Sequence, residues 1–141
     1  MPTEGFTRVV EVIEGLVLPT ETQVTTFNTS ALYDGTTLVT PKFAVIDAAT
    51  SGNNSIVAAV AAKKIRVLQA SGIAAGAVNV RFESGADGTA LTGQMNLTTN
   101  SGFVYNFSPV GWFQTATNTA LNLELSGAVS VDGCLVYVEV D

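Results

Sequence analysis

The chain has 141 residues, a formal net charge of -6, one cysteine and no histidine. The missing imidazole excludes hydrolases of the Ser-His-Asp and Cys-His types and most zinc enzymes. Twelve acidic residues against six basic ones argue against nucleic acid as a partner, because binding to DNA or RNA depends mainly on Lys and Arg side chains that neutralise phosphates. A chain of this length is expected to form one domain around a single core.

Residues 1–40 are expected to form an N-terminal arm and a polar connector. An apolar segment comes first, and a Thr-rich polar stretch follows it between residues 20 and 40. The apolar residues are Val9, Val10, Val12, Ile13, Leu16, Val17 and Leu18. Because the polar stretch holds few large apolar residues, it is predicted to be an extended connector with turns rather than a packed element. No basic region precedes an apolar one at the start, so a secretory signal is not predicted.

Residues 41–141 are predicted to form an all-β body. Apolar and polar residues alternate there with a period of two, which places neighbouring side chains on opposite faces of a strand. Turn sequences rich in Gly, Asn and Asp separate the alternating runs. The predicted strands lie near 43–48, 55–60, 64–70, 76–84, 89–97, 102–108, 119–126 and 133–140. The segment 56–70 could be drawn as a helix, but its Val and Ile content favours two strands joined by a turn.

Eight short antiparallel strands at this spacing are typical of a two-sheet sandwich. An eight-stranded jelly roll is the first choice of architecture, and a barrel is the alternative. In the last strand, Cys134 and Val136 are placed on the inner face, where the thiol would act as a small buried hydrophobe. Leu135 and Tyr137 are placed on the outer face, and they are therefore the candidates for a subunit interface.

The sequence offers little for catalysis. Carboxylates are the only abundant acid-base groups, and those that precede glycine are explained by turns. Glu83, Glu124 and Glu139 are expected on outward, solvated faces of strands. No calcium-loop, phosphate-loop or dinucleotide motif occurs, so no metal and no cofactor is predicted. No apolar run approaches the roughly 18 uncharged residues of a membrane-spanning helix, so a soluble protein is expected, and an enzyme is the least favoured function.

Two groups of side chains are candidates for contact with a ligand or partner. Lys63, Lys64 and Arg66 hold three of the six cations, which could form an electrostatic docking patch or could guard a strand edge or turn. Trp112 follows a Pro-Val-Gly sequence, where an exposed indole could stack on a sugar, anchor an interface or cover one end of the core. The alternative function is therefore a carbohydrate- or receptor-binding module, such as a fibre tip or a lectin-like domain.

Four segments carry a resemblance to a known group of proteins: SIVAAVAAKKIRVLQASG, AGAVNVRFESGADGTALTGQMNL, NFSPVGWFQT and ALNLELSGAVSVDGCLVYVEV. Over residues 55–140 the chain resembles small virion structural proteins of tailed bacteriophages, and in particular capsid decoration (cement) proteins with a jelly-roll fold. The resemblance implies a non-enzymatic protein, made in the host cytoplasm, that sits as a homotrimer on the head surface of the virion. It implies the major capsid protein as the partner, with no role for a membrane.

The apolar segment of the arm is the candidate for attachment. An extended apolar segment can add a strand to the open edge of a sheet in another protein or in a sister subunit. An ordinary ninth strand in the same body is the alternative. The candidates for capsid docking or for exchange of arms are Val9, Val10, Val12, Ile13, Leu16 and Leu18.

Overall fold

The computed structural model describes residues 31–141, which form twelve β-strands and no helix. The strands are β1 (Leu32–Asp34), β2 (Thr37–Val39), β3 (Lys42–Ala48), β4 (Gly52–Val57), β5 (Lys64–Ala74), β6 (Val78–Ser84), β7 (Thr89–Ala90), β8 (Met95–Leu97), β9 (Gly102–Tyr105), β10 (Phe113–Gln114), β11 (Leu121–Leu125) and β12 (Val131–Val140). The prediction of an all-β body is confirmed. Across the same residues, no helix is long and apolar enough to cross a membrane.

Two antiparallel sheets build the body. Sheet I has the order β10–β5–β12–β3, and β9 pairs with β5 next to β10. Sheet II has the order β4–β11–β6–β7, and β8 pairs with β6 next to β7. Neighbouring strands in each sheet are mostly distant in the sequence, because the chain crosses between the sheets after most strands.

The inner faces of the two sheets pack together in one hydrophobic core, as the predicted sandwich requires. Phe82 of sheet II is fully buried at its centre, and its ring lies 5.7 Å from the Phe103 ring and 5.0 Å from the Phe113 ring of sheet I. Tyr105 continues the series, with its ring centre 5.7 Å from Phe113 and 5.3 Å from Trp112. A row of aromatic rings therefore runs from the centre of the core to the surface.

Strand β12 presents the opposite faces from those predicted. Leu135 is only 1% exposed and lies in the core, Tyr137 packs against the same core, and Cys134 is exposed. Both faces of this strand are apolar, so a period of two does not reveal which face is inside. The prediction of a buried thiol is wrong, and Leu135 has no surface left with which to contact a second subunit.

Strands β1 and β2 form a hairpin that packs on the outer face of sheet I. Leu32 and Val39 of the hairpin contact a small apolar cluster that sheet I carries on its outer side. The buried members of this cluster are Leu68, Val138 and Val140. The sequence predicted an unpacked connector here, and the difference arises because only two apolar side chains of a very short hairpin make the contact.

A β-bulge in β5 lies at the outward-facing Leu68. Val136 of β12 pairs with Gln69 and Tyr137 pairs with Val67, so Leu68 is an extra residue between two ladder positions. The bulge shifts the alternation by one residue, and the core-facing residues are Ile65 and Val67 before it and Ala70 and Ala74 after it. Val67 therefore faces the core, whereas Leu68 lies beneath the hairpin.

We expect Phe82→Ala to destabilise the body by about 3–5 kcal/mol, the usual cost of a large cavity in a core. Urea unfolding followed by circular dichroism measures the change. Phe107→Ala is the matched control, because this ring is 54% exposed, and it should change the free energy of unfolding by no more than about 0.5 kcal/mol. Equal effects of the two substitutions would contradict the central position of Phe82.

Candidate functional site

A cleft of about 480 Å³ opens between the β1–β2 hairpin and the segment that joins β9 to β10. Its lining combines aromatic, charged and amide side chains from parts of the sequence that are far apart. The residues that define the cleft are Tyr33, Asp34, Arg66, Gly111, Trp112 and Gln114. Two residues that sequence reasoning considered separately, Arg66 and Trp112, thus lie in one site, together with three side chains that it missed.

Arg66 lies at the centre of a polar group in the cleft. Its Nη1 donates a hydrogen bond of 2.9 Å to Asp34 Oδ1, and its Nε donates one of 2.8 Å to Gln114 Oε1. Gly111, with a φ of +83°, lets the backbone pass against this side chain, because a Cβ atom there would lie 2.6 Å from Arg66 Cγ. The guanidinium group is therefore held from both walls of the cleft.

Trp112 forms the other part of the cleft wall and is 51% exposed. Its Nε1 donates a 2.7 Å hydrogen bond to the carbonyl oxygen of Asn106. Its backbone N–H donates to Val67 O at 2.9 Å, and its ring packs edge-on against Tyr105. The indole is thus fixed in orientation while half of it faces solvent.

The three cations of the predicted docking patch are engaged by different acidic partners. Lys63 forms an ion pair with Asp141, and Lys64 Nζ donates to the backbone oxygen of Asp141 at 2.6 Å. The hydrogen bond from Lys63 lowers the pKa of the Asp141 carboxyl group below its ordinary value. Arg66 instead pairs with Asp34 in the cleft.

A second surface is the part of the outer face of sheet I that the hairpin leaves uncovered. Phe43, Val45, Ile73 and Val104 point outward from it and are each between 61% and 81% exposed. We call these four residues the outer apolar face. Large exposed hydrophobic side chains grouped on one face of a sheet are typical of a contact with another macromolecule.

One row of side chains crosses all the strand positions of sheet I on this surface. Val104 pairs with Ser71, Ser71 pairs with Cys134, and Cys134 pairs with Val45. The only cysteine of the chain thus lies in the middle of the outer apolar face. Sequence reasoning missed this face because an exposed apolar row in a strand has the same period-two pattern as a buried row.

The outer side of sheet II carries a polar network around Glu83. Arg81 Nη2 lies 2.7 Å from Glu83 Oε1, and Arg81 Nε lies 2.6 Å from Glu124 Oε2. Glu83 is fully buried, which corrects the prediction that it is solvated. Burial raises the pKa of Glu83, and the neighbouring Glu124 raises it further, while the hydrogen bond from Arg81 acts in the opposite direction.

Asn122, which pairs with Glu83 in sheet II, belongs to a chain of hydrogen bonds that reaches the turn after β6. Asn53 Nδ2 donates to Asp87 Oδ1 at 2.9 Å, and Asn122 Nδ2 donates to Asn53 Oδ1 at 2.8 Å. These bonds fasten the turn to sheet II. A dissolved substrate therefore has no direct access to the Glu83 carboxyl group, and this network is best understood as part of the scaffold.

The described part of the chain holds no group of three or more His, Cys, Asp or Glu side chains that could bind a metal ion. The predicted attachment residues lie outside residues 31–141, and the structure does not describe them. They are Val9, Val10, Val12, Ile13, Leu16 and Leu18.

Comparison with protein-family models finds no match. Comparisons with curated proteins and with solved structures find no match either.

We expect the stability of the Glu83→Gln variant, relative to that of the unchanged protein, to increase as the pH rises from 4 to 7. A carboxyl group whose pKa is raised by folding stabilises the native state below its ordinary pKa, and this contribution is lost as the pH rises through the raised value. The glutamine side chain stays neutral at every pH, so the variant does not lose stability in this way. Thermal melts of both proteins at each pH measure the difference in melting temperature, and a difference that stays constant or falls with pH would contradict the raised pKa.

Proposed function

We propose that the protein is a non-enzymatic structural protein of a bacteriophage particle, a decoration or cement protein that binds and stabilises the assembled head. The observation that supports this proposal is the outer apolar face, which suits the contact between copies that a decoration protein needs in order to attach at several points. A large apolar area is in contact with water there, formed by the side chains of Phe43, Val45, Ile73 and Val104. Burying such an area against another protein surface is favourable. The resemblance of residues 55–140 to phage decoration proteins agrees with a role in contact rather than in chemistry.

Two carboxyl groups that could take part in catalysis are occupied by the fold itself, which supports the same proposal. Glu83 is fully buried in sheet II, and Asp34 of the cleft is engaged by Arg66. A protein that binds only the assembled shell stabilises it by mass action and needs no reaction to do so. Several copies bound to one shell add their contact areas with it, and each area contributes to the stability of the shell.

The occupant that we assign to the outer apolar face is the apolar segment of the arm, residues 9–18, from a neighbouring copy. The hairpin that packs on sheet I begins at Leu32, so the chain that precedes it starts beside this face. The stretch from Leu18 to Ala31 can span up to about 45 Å when extended, whereas a body of this size has a radius of gyration of about 13 Å. The arm is therefore long enough to reach a second molecule.

Strand β3 makes exchange between copies favourable. It lies at the end of the strand order of sheet I, and among residues 31–141 only β12 pairs with it. Its outward side chains Phe43 and Val45 belong to the outer apolar face. An incoming apolar segment can pair with the open backbone groups of such an edge and cover those side chains. When each copy gives its arm to the next copy around a threefold axis, every outer apolar face is covered once and a closed homotrimer forms.

A disulfide trap tests the exchange. In a full-length variant that combines Val12→Cys, Val45→Cys and Cys134→Ser, the thiol at position 12 should oxidise with the thiol at position 45 on the β3 edge of a neighbouring copy, and a non-reducing gel should show a covalent trimer. The matched control combines Val12→Cys and Cys134→Ser with Ser55→Cys, which moves the acceptor thiol to an exposed position on sheet II, and it should give no trimer. A disulfide confined to one chain, or a trimer in the control, would contradict the assigned occupant.

Co-sedimentation with heads of the virus that encodes the protein tests the function itself. The full chain should pellet with assembled heads and not with unassembled capsid subunits. A variant lacking residues 1–20 should keep its circular-dichroism spectrum but lose at least tenfold in affinity, because a single body has lost the multivalent attachment of a trimer. Failure of the full chain to pellet with heads would overturn the proposed function.

A further inference from the structure

We propose that the cleft between the β1–β2 hairpin and the β9–β10 segment is a binding site for a neutral carbohydrate. This inference is independent of the role of the outer apolar face. It rests on three properties of the cleft: two half-exposed aromatic rings, a set of polar groups with unused hydrogen-bonding capacity, and a balance of charge. Its volume of about 480 Å³ falls within the range of about 300–1,000 Å³ that is usual for small-molecule sites.

The aromatic rings offer the surface on which a sugar packs. Tyr33 from the hairpin is 50% exposed and Trp112 from the opposite side is 51% exposed, and both line the cleft. The face of an aromatic ring carries partial negative charge, and the C–H groups of a pyranose carry partial positive charge. Because the Trp112 N–H is already bonded to Asn106 O, the exposed part of the indole presents mainly its carbon surface to a ligand.

The polar side chains supply directional bonds for hydroxyl groups. Arg66 uses two of its five N–H donors on Asp34 and Gln114. Gln114 accepts through its oxygen, so its amide NH2 group keeps two donors, and Asp34 keeps a second carboxylate oxygen as an acceptor. A sugar hydroxyl both donates and accepts, and vicinal hydroxyls match this neighbouring set of donors and acceptors.

The charge balance selects a neutral ligand. Arg66 and Asp34 are the only charged residues in the lining of the cleft as the described residues form it, and they pair at 2.9 Å. A phosphate, sulfate or carboxylate group would have to compete with Asp34 for Arg66 while lying close to a like charge, which is unfavourable. A neutral polyhydroxyl ligand can bond to both partners without separating them.

The site is formed before any ligand binds. Trp112 is fixed by Asn106, by Val67 and by the aromatic row that leads into the core. Arg66 is fixed by its two bonds and by the close approach of Gly111. Few protein side chains therefore have to become ordered when a sugar binds. The small loss of conformational entropy favours binding, which matters for ligands that bind weakly.

The fluorescence of Trp112 tests the inference, because it is the only tryptophan of the chain and lies in the cleft. The full-length protein is titrated with maltose, cellobiose, lactose and N,N′-diacetylchitobiose as neutral probes. Glucose 6-phosphate and glucuronic acid are the charged probes. At least one neutral disaccharide should shift the emission in a saturable way, and the charged probes should bind at least tenfold more weakly.

Two variants separate binding in the cleft from binding elsewhere. Gln114→Ala keeps the tryptophan and should lower the affinity for the tightest-binding neutral disaccharide by about three- to tenfold, which is the effect of losing one hydrogen bond. Phe43→Ala, on the outer apolar face, is the matched control and should bind the sugar unchanged. Thermal melts confirm that both variants are folded. No saturable shift with any neutral probe, tighter binding of a charged probe, or equal affinity of Gln114→Ala and the unchanged protein would overturn the proposal.

Discussion

Hydrophobic packing on both faces of sheet I is the interaction on which the rest of the structure depends. The inner face of β5 joins the core through residues such as Val67, and the next residue, Leu68, lies on the other side of the strand. The hairpin packs on that leucine and on two valines of β12. The hairpin in turn provides Tyr33 and Asp34, which form one wall of the cleft. The two faces of β5 thus link the core to the candidate binding site.

The sequence predicts the sandwich well because most of its strands alternate strongly. The predicted strand at 43–48 and the observed β3 at Lys42–Ala48 nearly coincide, and the predicted strand at 64–70 lies within β5. The pattern fails where both faces are apolar, as around Leu135, because alternation then carries no information on which side is buried. It also fails for Glu83, whose neighbours on the adjacent strands, Asn122 and Ala90, are not described by the pattern of β6.

The cleft is harder to predict than the fold. Tyr33, Arg66 and Trp112 lie in three separate parts of the chain, and only the register of β5 with β10 and the position of the hairpin bring them together. A basic residue in a strand and a tryptophan in a loop each have several ordinary explanations. Their meaning changes when the fold places them in one concave site. The strand pattern could therefore indicate the architecture, whereas the site required tertiary structure.

The two outer surfaces of the sandwich differ in character. Sheet II carries ion pairs and amide networks, such as those of Arg81 with Glu83 and Glu124, which remain compatible with water. Sheet I carries the outer apolar face beside the hairpin. This asymmetry orients the molecule, because one side is suited to contact with a partner and the other to solvent.

The position of β3 also bears on how the protein avoids uncontrolled polymerisation. An unprotected strand edge can recruit identical chains one after another and produce fibres instead of a closed assembly. Lys42 and Asp47, both exposed, place opposite charges near the two ends of this strand. Lys42 also pairs with Glu139 of the neighbouring strand β12, so a chain that adds to this edge must accommodate charges at both ends, which disfavours non-specific pairing.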